Sequence, residues 1–280
     1  MRIDDDTYDY AEGTGVARTN TAYVYLPYGY DENTNQHYNV LYFVHGHYGT
    51  ASTTFEAENG LVRKLLDHMT ENGDMAPTIV VSPSYNYGNP TPNYVDADPY
   101  CEALPQELIN DLIPIVEIRY RTYAESTDAA GLESSREHRA IGGFSMGAVT
   151  TWYALEHTLD YFKFFMPVSA DCWSLGAFAG MNRPTETAEY LAGVIRQSPH
   201  AGTGFYIWAA SGTDDSAYRE TLVQVEAMAR PTDVFPPPNH PFHENDGPRP
   251  EFRPKAASLH NGLPFFFPHD PEGTKKTSGH

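Results

Sequence analysis

The pentapeptide Gly143-Phe144-Ser145-Met146-Gly147 constrains this chain more than any other stretch. It sits between Arg139 to Phe144, which reads as a buried strand, and Ala148 to His157, which has helical spacing. G-x-S-x-G in a strand–turn–helix context is the nucleophile elbow, in which a serine is held on a strained turn and both glycines let neighbouring backbone approach closely. The N-terminus of the following helix offers oriented N–H groups where negative charge would develop. Ser145 is therefore the candidate nucleophile and Met146 the first candidate oxyanion donor.

The rest of the chain is consistent with that placement. Short β-branched or apolar runs at Ala22 to Pro27, Val40 to Val44, Thr78 to Ser82, Phe164 to Ser169 and Phe205 to Ser211 alternate with helical spacing at Leu61 to Met69 and Glu107 to Tyr120. Strands alternating with helices predict an α/β fold with a mostly parallel central sheet covered on both faces, the α/β-hydrolase arrangement. Residues 1–268 are expected to form a single domain and 269–280 a polar tail. No regular element is expected between Pro231 and Pro254, where eight of the chain's 22 prolines fall within 24 residues. Apolar character returns from Leu259 to Phe267.

Charge limits the partners. Lys+Arg 18 against Asp+Glu 37 gives a net charge of −19, which repels phosphate backbones and anionic bilayers, so neither nucleic acid nor membrane is expected. No apolar run approaches the ~20 residues that span a bilayer. Cys101 and Cys172 alone do not make a disulfide framework.

Two further segments carry chemistry. Val44-His45-Gly46-His47-Tyr48-Gly49 follows an early strand, where α/β-hydrolases place a second oxyanion N–H, here that of Tyr48 or His47. Gly212-Thr213-Asp214-Asp215 follows a later strand, where either aspartate could orient a histidine. His45 and His47 lack a third ligand nearby, so no metal site is expected, and acyl transfer by a serine needs no organic cofactor.

These residues resemble the feruloyl esterases of carbohydrate esterase family 1, especially the esterase modules of bacterial xylanases. The similarity is carried by Tyr120-Arg121-Thr122-Tyr123-Ala124-Glu125-Ser126-Thr127, Ser135-Arg136-Glu137-His138-Arg139, Gly142 to Gly147 and Thr150-Thr151-Trp152. Val24 to Asp31, Leu159-Asp160-Tyr161, Phe165-Met166-Pro167, Gly212 to Tyr218 and Gln224 to Met228 extend it. The resemblance implies that Ser145 is the nucleophile and Asp215 the triad acid. It also implies that Asp171-Cys172-Trp173 corresponds to an Asp-x-Trp segment bordering the aromatic acyl pocket, with Trp173 able to stack on a phenolic ring; Trp152 is assigned to packing. The implied substrate is a feruloylated xylan oligosaccharide or small phenolic ester, and the implied location is outside the cell, although Met1 to Tyr10 shows no leader and a cytoplasmic location is the alternative.

The match breaks at the histidine. Counting back from Leu263-Pro264-Phe265-Phe266-Phe267 puts the family's triad histidine at Pro250, and proline cannot act as a base. His243 is the candidate replacement, with His240 and His260 as alternatives. A rearranged loop, an altered stretch of sequence and loss of activity compete as explanations. The last would leave a carbohydrate-binding homologue, and an acetyl-xylan esterase is the other alternative.

Overall fold

The computed structural model describes residues 1–32, 35–201, 204–236, 242–245 and 254–269. In chain order the elements are β1 (Arg2–Tyr8), β2 (Ala17–Tyr25), β3 (Asn39–Val44), α1 (Thr53–Asn72), β4 (Thr78–Ser82), α2 (Asp98–Glu107), α3 (Ile113–Arg119), α4 (Ala129–Ser134), β5 (Arg139–Phe144) and α5 (Met146–His157). They continue with β6 (Phe164–Val168), α6 (Ala179–Asn182), α7 (Pro184–Gln197), β7 (Tyr206–Ile207), β8 (Ala209–Gly212), α8 (Tyr218–Met228), β9 (Phe242–Asn245) and α9 (Pro254–Phe266).

The strands join in the order β1-β2-β4-β3-β5-β6-β8-β9, with β7 beside β6. The β1–β2 and β2–β4 pairs are antiparallel, and every pairing from β4 onward is parallel. This is the mostly parallel sheet of the α/β-hydrolase fold. In β3, Val40, Tyr42 and Val44 pack with residues of α2, α3 and α5, whereas Leu41 and Phe43 pack with Val62 and Leu66 of α1 and Leu259 and Leu263 of α9. Both faces are thus covered, and the six residues of β3 are all buried. Residues 146–155 of α5 are buried on every side, as expected for a helix enclosed by the sheet and its neighbours.

Several expected bounds shift. The Glu107 to Tyr120 helix is instead α2, a π-helical turn over Leu108–Leu112, and α3. Pro114 explains the widening: an α-helix there would lose an N–H bond and press the ring on the carbonyl four residues earlier. The helix expected from Leu61 begins at Thr53 and is broken at Ala57–Gly60. The Phe205 to Ser211 strand is two pieces, β7 and β8. The proline-rich stretch, expected to hold no regular element, contains β9, because its backbone pairs in register with β8 from Ala209↔Phe242 to Gly212↔Asn245.

Strand β1 was not expected, since Arg2-Ile3-Asp4-Asp5-Asp6 has poor strand composition. Its alternation turns Ile3, Asp5 and Thr7 inward. Thr7 donates to Asp111 Oδ2 at 2.7 Å, while neither carboxylate oxygen of the buried Asp5 has a partner among the described residues. Burial first, then the charges of Asp111 and Asp6, push the Asp5 carboxyl up to about 7. Burial likewise raises buried Glu107 to about 8, although Asn20 Nδ2 donates to it at 2.6 Å. A carboxyl whose folded value is raised holds its proton more tightly in the folded chain. Its contribution to stability is therefore intact near pH 4 and declines as pH rises through 7 to 8. Asp5→Asn is accordingly expected to stabilise the protein by about 1–3 kcal/mol at pH 8 and by little at pH 4. Equal shifts in urea midpoint at the two pH values would refute this origin.

Candidate active site

Ser145 occupies the junction of β5 and α5 with φ 56 and ψ −118, a conformation that side-chain-bearing residues rarely adopt. Its N–H donates to Val168 O at 2.9 Å, and its carbonyl accepts from the N–H groups of Ala148 and Val149 at 2.7 and 3.1 Å. Both glycines of the motif are required by contact. A Cβ on Gly143 would stand 2.4 Å from Gly147 O, and one on Gly147 would stand 2.2 Å from Val44 O. The elbow is therefore wedged against the end of β3. Met146 N–H, at the first turn of α5, has no carbonyl one turn earlier to bond and suits a developing oxyanion.

The loop after β3 meets the elbow directly, since a Cβ on Gly46 would lie 3.5 Å from Ser145 Cβ. His45 is buried and fixes this loop. Its Nδ1 lies 2.7 Å from Gly46 O and its Nε2 2.9 Å from Ser84 Oγ, and burial lowers its pKa to about 4, keeping the ring neutral. Gly46 O also accepts from Gly49 N–H at 2.9 Å, and His47 O accepts from the Tyr85 hydroxyl at 3.4 Å. In a trans peptide the N–H points away from its carbonyl, so tying these two carbonyls sets the directions of the His47 and Tyr48 N–H groups. The Tyr48 side chain is exposed, whereas His47 is buried with neither ring nitrogen bonded among the described residues.

Ser145, this loop, Phe43, Phe144, Tyr94 and two charged residues, Glu58 and Lys255, line a cavity of about 570 Å³. That is ample for an aromatic acid and part of an attached sugar. Tyr94 makes edge-on contacts with Trp173 (6.5 Å between centroids), Phe178 (6.0 Å) and His47 (6.1 Å). Trp173 itself is buried: its indole N–H donates to Asp171 Oδ1 at 2.8 Å, and Asp171 Oδ2 accepts from Met181 N–H at 2.7 Å. Asp171 is fully buried, and burial raises its pKa. Its hydrogen-bonding capacity is directed at the chain itself: it holds Trp173, which packs edge-on against Tyr94.

Asp215 follows β8 as Ser145 follows β5, both beyond the C-terminal ends of parallel strands. It closes the turn into α8, Oδ1 accepting from Ala217 N–H at 2.9 Å. Asp214 beside it is exposed. Glu220 on α8 is raised to about 7 by burial and by the charges of Asp171 and Asp215.

The structure does not bring His243 to Ser145. His243 pairs with Ala210, Ala210 with Val168 and Val168 with Phe144. Three strand spacings, about 14 Å, therefore separate His243 from the residue preceding Ser145. Its ring stacks on Trp208 at 3.2 Å and 6°, with Nε2 buried and unpartnered among the described residues, and burial lowers its pKa to about 4. His260 is exposed on α9. His240 and Pro250 lie outside the described residues, as does the tail from 270 onward. Among the described residues no group of three or more His, Cys, Asp or Glu is placed to hold a metal ion, and no helix is long and apolar enough to cross a membrane.

The sequence offered no sign of Tyr94, Phe178, Glu58 or Lys255. Tyr94 lies between β4 and α2, where no strand or helix spacing is read from the sequence, and the charged pair comes from elements almost 200 residues apart.

Comparisons with known proteins agree with this fold. A family model described as "Putative esterase" matches residues 14–235. Endo-1,4-beta-xylanase Y of Acetivibrio thermocellus is 40% identical over 227 residues, 81% of this chain and 19% of that protein. An endo-1,4-beta-xylanase/feruloyl esterase of Xylanibacter ruminicola is 30% identical over 145 residues, 51% of this chain and 18% of that protein. The chain spans about a fifth of the length of these two curated relatives. Among solved structures, a serine-to-alanine variant of the feruloyl esterase module from Clostridium thermocellum, complexed with sinapinate, has a TM-score of 0.78 at 33% identity, covering 96% of this chain and 88% of that one. A ferulic acid esterase from Anaeromyces mucronatus, TM-score 0.63 at 19% identity over 94% of this chain and 88% of that one, shares the fold.

Proposed function

Because the chain belongs to this esterase family, we propose that it is a serine esterase that releases ferulate and related hydroxycinnamates from sugars of plant cell-wall arabinoxylan. The observation that carries the proposal is Ser145, held at φ 56 on a glycine-flanked turn at the wall of a 570 Å³ cavity. Its neighbours are long xylanases, one with feruloyl esterase in its name, and a related module was crystallised with sinapinate. An enzyme of this kind acts outside the cell, where arabinoxylan is found.

In the proposed reaction Ser145 Oγ attacks the ester carbonyl and the N–H of Met146, with that of Tyr48 or His47, holds the oxyanion. The alcohol leaves, water attacks the acyl-enzyme, and ferulate departs. A histidine takes the Ser145 proton and returns it to the leaving alcohol, and Asp215 holds its tautomer. His243 can serve only if it leaves the Trp208 stack, whose burial keeps its pKa near 4. Replacing His240, His243 and His260 singly identifies the base as the one whose loss lowers kcat as far as loss of Ser145 does.

The test is release of ferulate from methyl ferulate, beside acetate release from 4-nitrophenyl acetate. Turnover of the first with a higher kcat/KM than the second supports the aromatic acyl reading. A strong preference for acetyl would favour an acetyl-xylan esterase, which the roomy cavity disfavours. A second reading rests on Pro250: with no histidine joined to Ser145 among the described residues, the chain would bind feruloylated oligosaccharide without turning it over, and no turnover of either ester would support it.

A further inference from the structure

The cavity beside Ser145 contains a charged pair that the reaction above does not use. Lys255 Nζ stands 3.5 Å from Glu58 Oε1, with the side chains only 13% and 16% exposed. Withdrawing two charges from water is unfavourable and their mutual attraction does not reliably compensate. The backbone is also held against its preferences to put them there. Helix α1 breaks at Ala57, and Glu58 and Asn59 follow at φ 57 and 56, the left-handed region that side-chain-bearing residues avoid. Lys255 lies in the first turn of α9, where the helix dipole disfavours a cation. Strain and unfavourable charge kept together at a cavity wall mark a functional position.

Resting on the esterase reading above, we propose that Glu58 and Lys255 form a clamp for the sugar half of the ester. The carboxylate accepts a hydrogen bond from one hydroxyl of the sugar while the ammonium donates to its neighbour, so that a vicinal diol bridges the pair. Such bonds to charged groups are stronger than those between neutral groups, and a simple alkyl alcohol offers nothing to make them. The pair is electrically balanced and the chain carries a net charge of −19, so a neutral pentose is favoured over a uronic acid. Polar groups prepared for a hydroxylated substrate discriminate strongly against one that lacks the hydroxyls.

The ratio of kcat/KM for a feruloyl-arabinose oligosaccharide to that for methyl ferulate reads this preference. In Lys255→Met and in Glu58→Gln the ratio is expected to fall about tenfold or more, with Lys255→Arg retaining most of it. Glu58→Gly, which suits the left-handed backbone and so should fold, is expected to lose the ratio as Glu58→Gln does. An unchanged ratio in these variants overturns the clamp. Should wild type hydrolyse neither ester, the esterase reading fails separately, and calorimetric binding of the same oligosaccharide to the Ser145→Ala protein then decides. A tenfold weaker Kd on adding Lys255→Met supports the clamp, and an equal Kd, or no binding before that change, overturns it.

Discussion

Ser145→Ala is expected to lower kcat on methyl ferulate by about 10⁴ to 10⁶ while leaving the melting temperature nearly unchanged or slightly raised. In the proposed reaction the loss follows from removing the atom that forms the acyl bond. The elbow glycines, the Val168 hydrogen bond and the loop after β3 hold the turn through backbone atoms, so the fold does not depend on Oγ. Alanine at φ 56 remains strained, as serine is, and the turn gains no new freedom. What activity persists comes from the oxyanion donors and from substrate positioning. Kinetics of purified wild type and variant at saturating ester settle this. A variant within tenfold of wild type would remove Ser145 from the chemistry.

The second large effect concerns stability. Arg139, at the start of β5, is buried with Glu117 of α3: Nε donates to Glu117 Oε1 at 2.9 Å, with side-chain exposures of 2% and 1%. Nη1 donates to Leu132 O at 2.9 Å and Tyr161 O at 2.7 Å, and Nη2 to Ser135 Oγ at 2.8 Å. One guanidinium thus ties the strand that leads to Ser145 to the segments around it. Arg139→Ala leaves the Glu117 charge buried without its counter-charge and three acceptors without their donor, and is expected to cost about 3–5 kcal/mol. Combining Arg139→Met with Glu117→Leu should cost markedly less, since the stranded charge is then gone. Urea unfolding of the single and double variants measures both. A single-variant loss below about 1 kcal/mol would contradict this account.

The site was legible where local sequence determines it. The strand-to-helix turn at Ser145 declares itself because strand, glycine, serine, glycine and helix are contiguous, and the loops after β3 and β8 declare themselves through their place after apolar runs, whereas the choice of Asp215 over Asp214 comes only from the family resemblance. Tyr94, Glu58 and Lys255 left no local trace, because only the closing of α1 and α9 over the same end of the sheet brings charge to the cavity. Strand β1 escaped because its inward positions include Asp5, which breaks the apolar alternation used to find strands. Position in the chain does not reveal where a side chain ends up: His243 stands near the expected point along the sequence, and the register of β9 puts it beside Trp208, three strands from β5. Sheet pairing, a long-range effect, decided what residue counting could not.

The outer strand β1 has β2 as its strand partner among the described residues, and its exposed positions carry Arg2, Asp4 and Asp6 before Tyr8 at its end. An open strand edge ordinarily invites another chain to add itself, and charge along that edge is an effective deterrent. The charged hem of β1 therefore disfavours the edge-to-edge addition of a second copy.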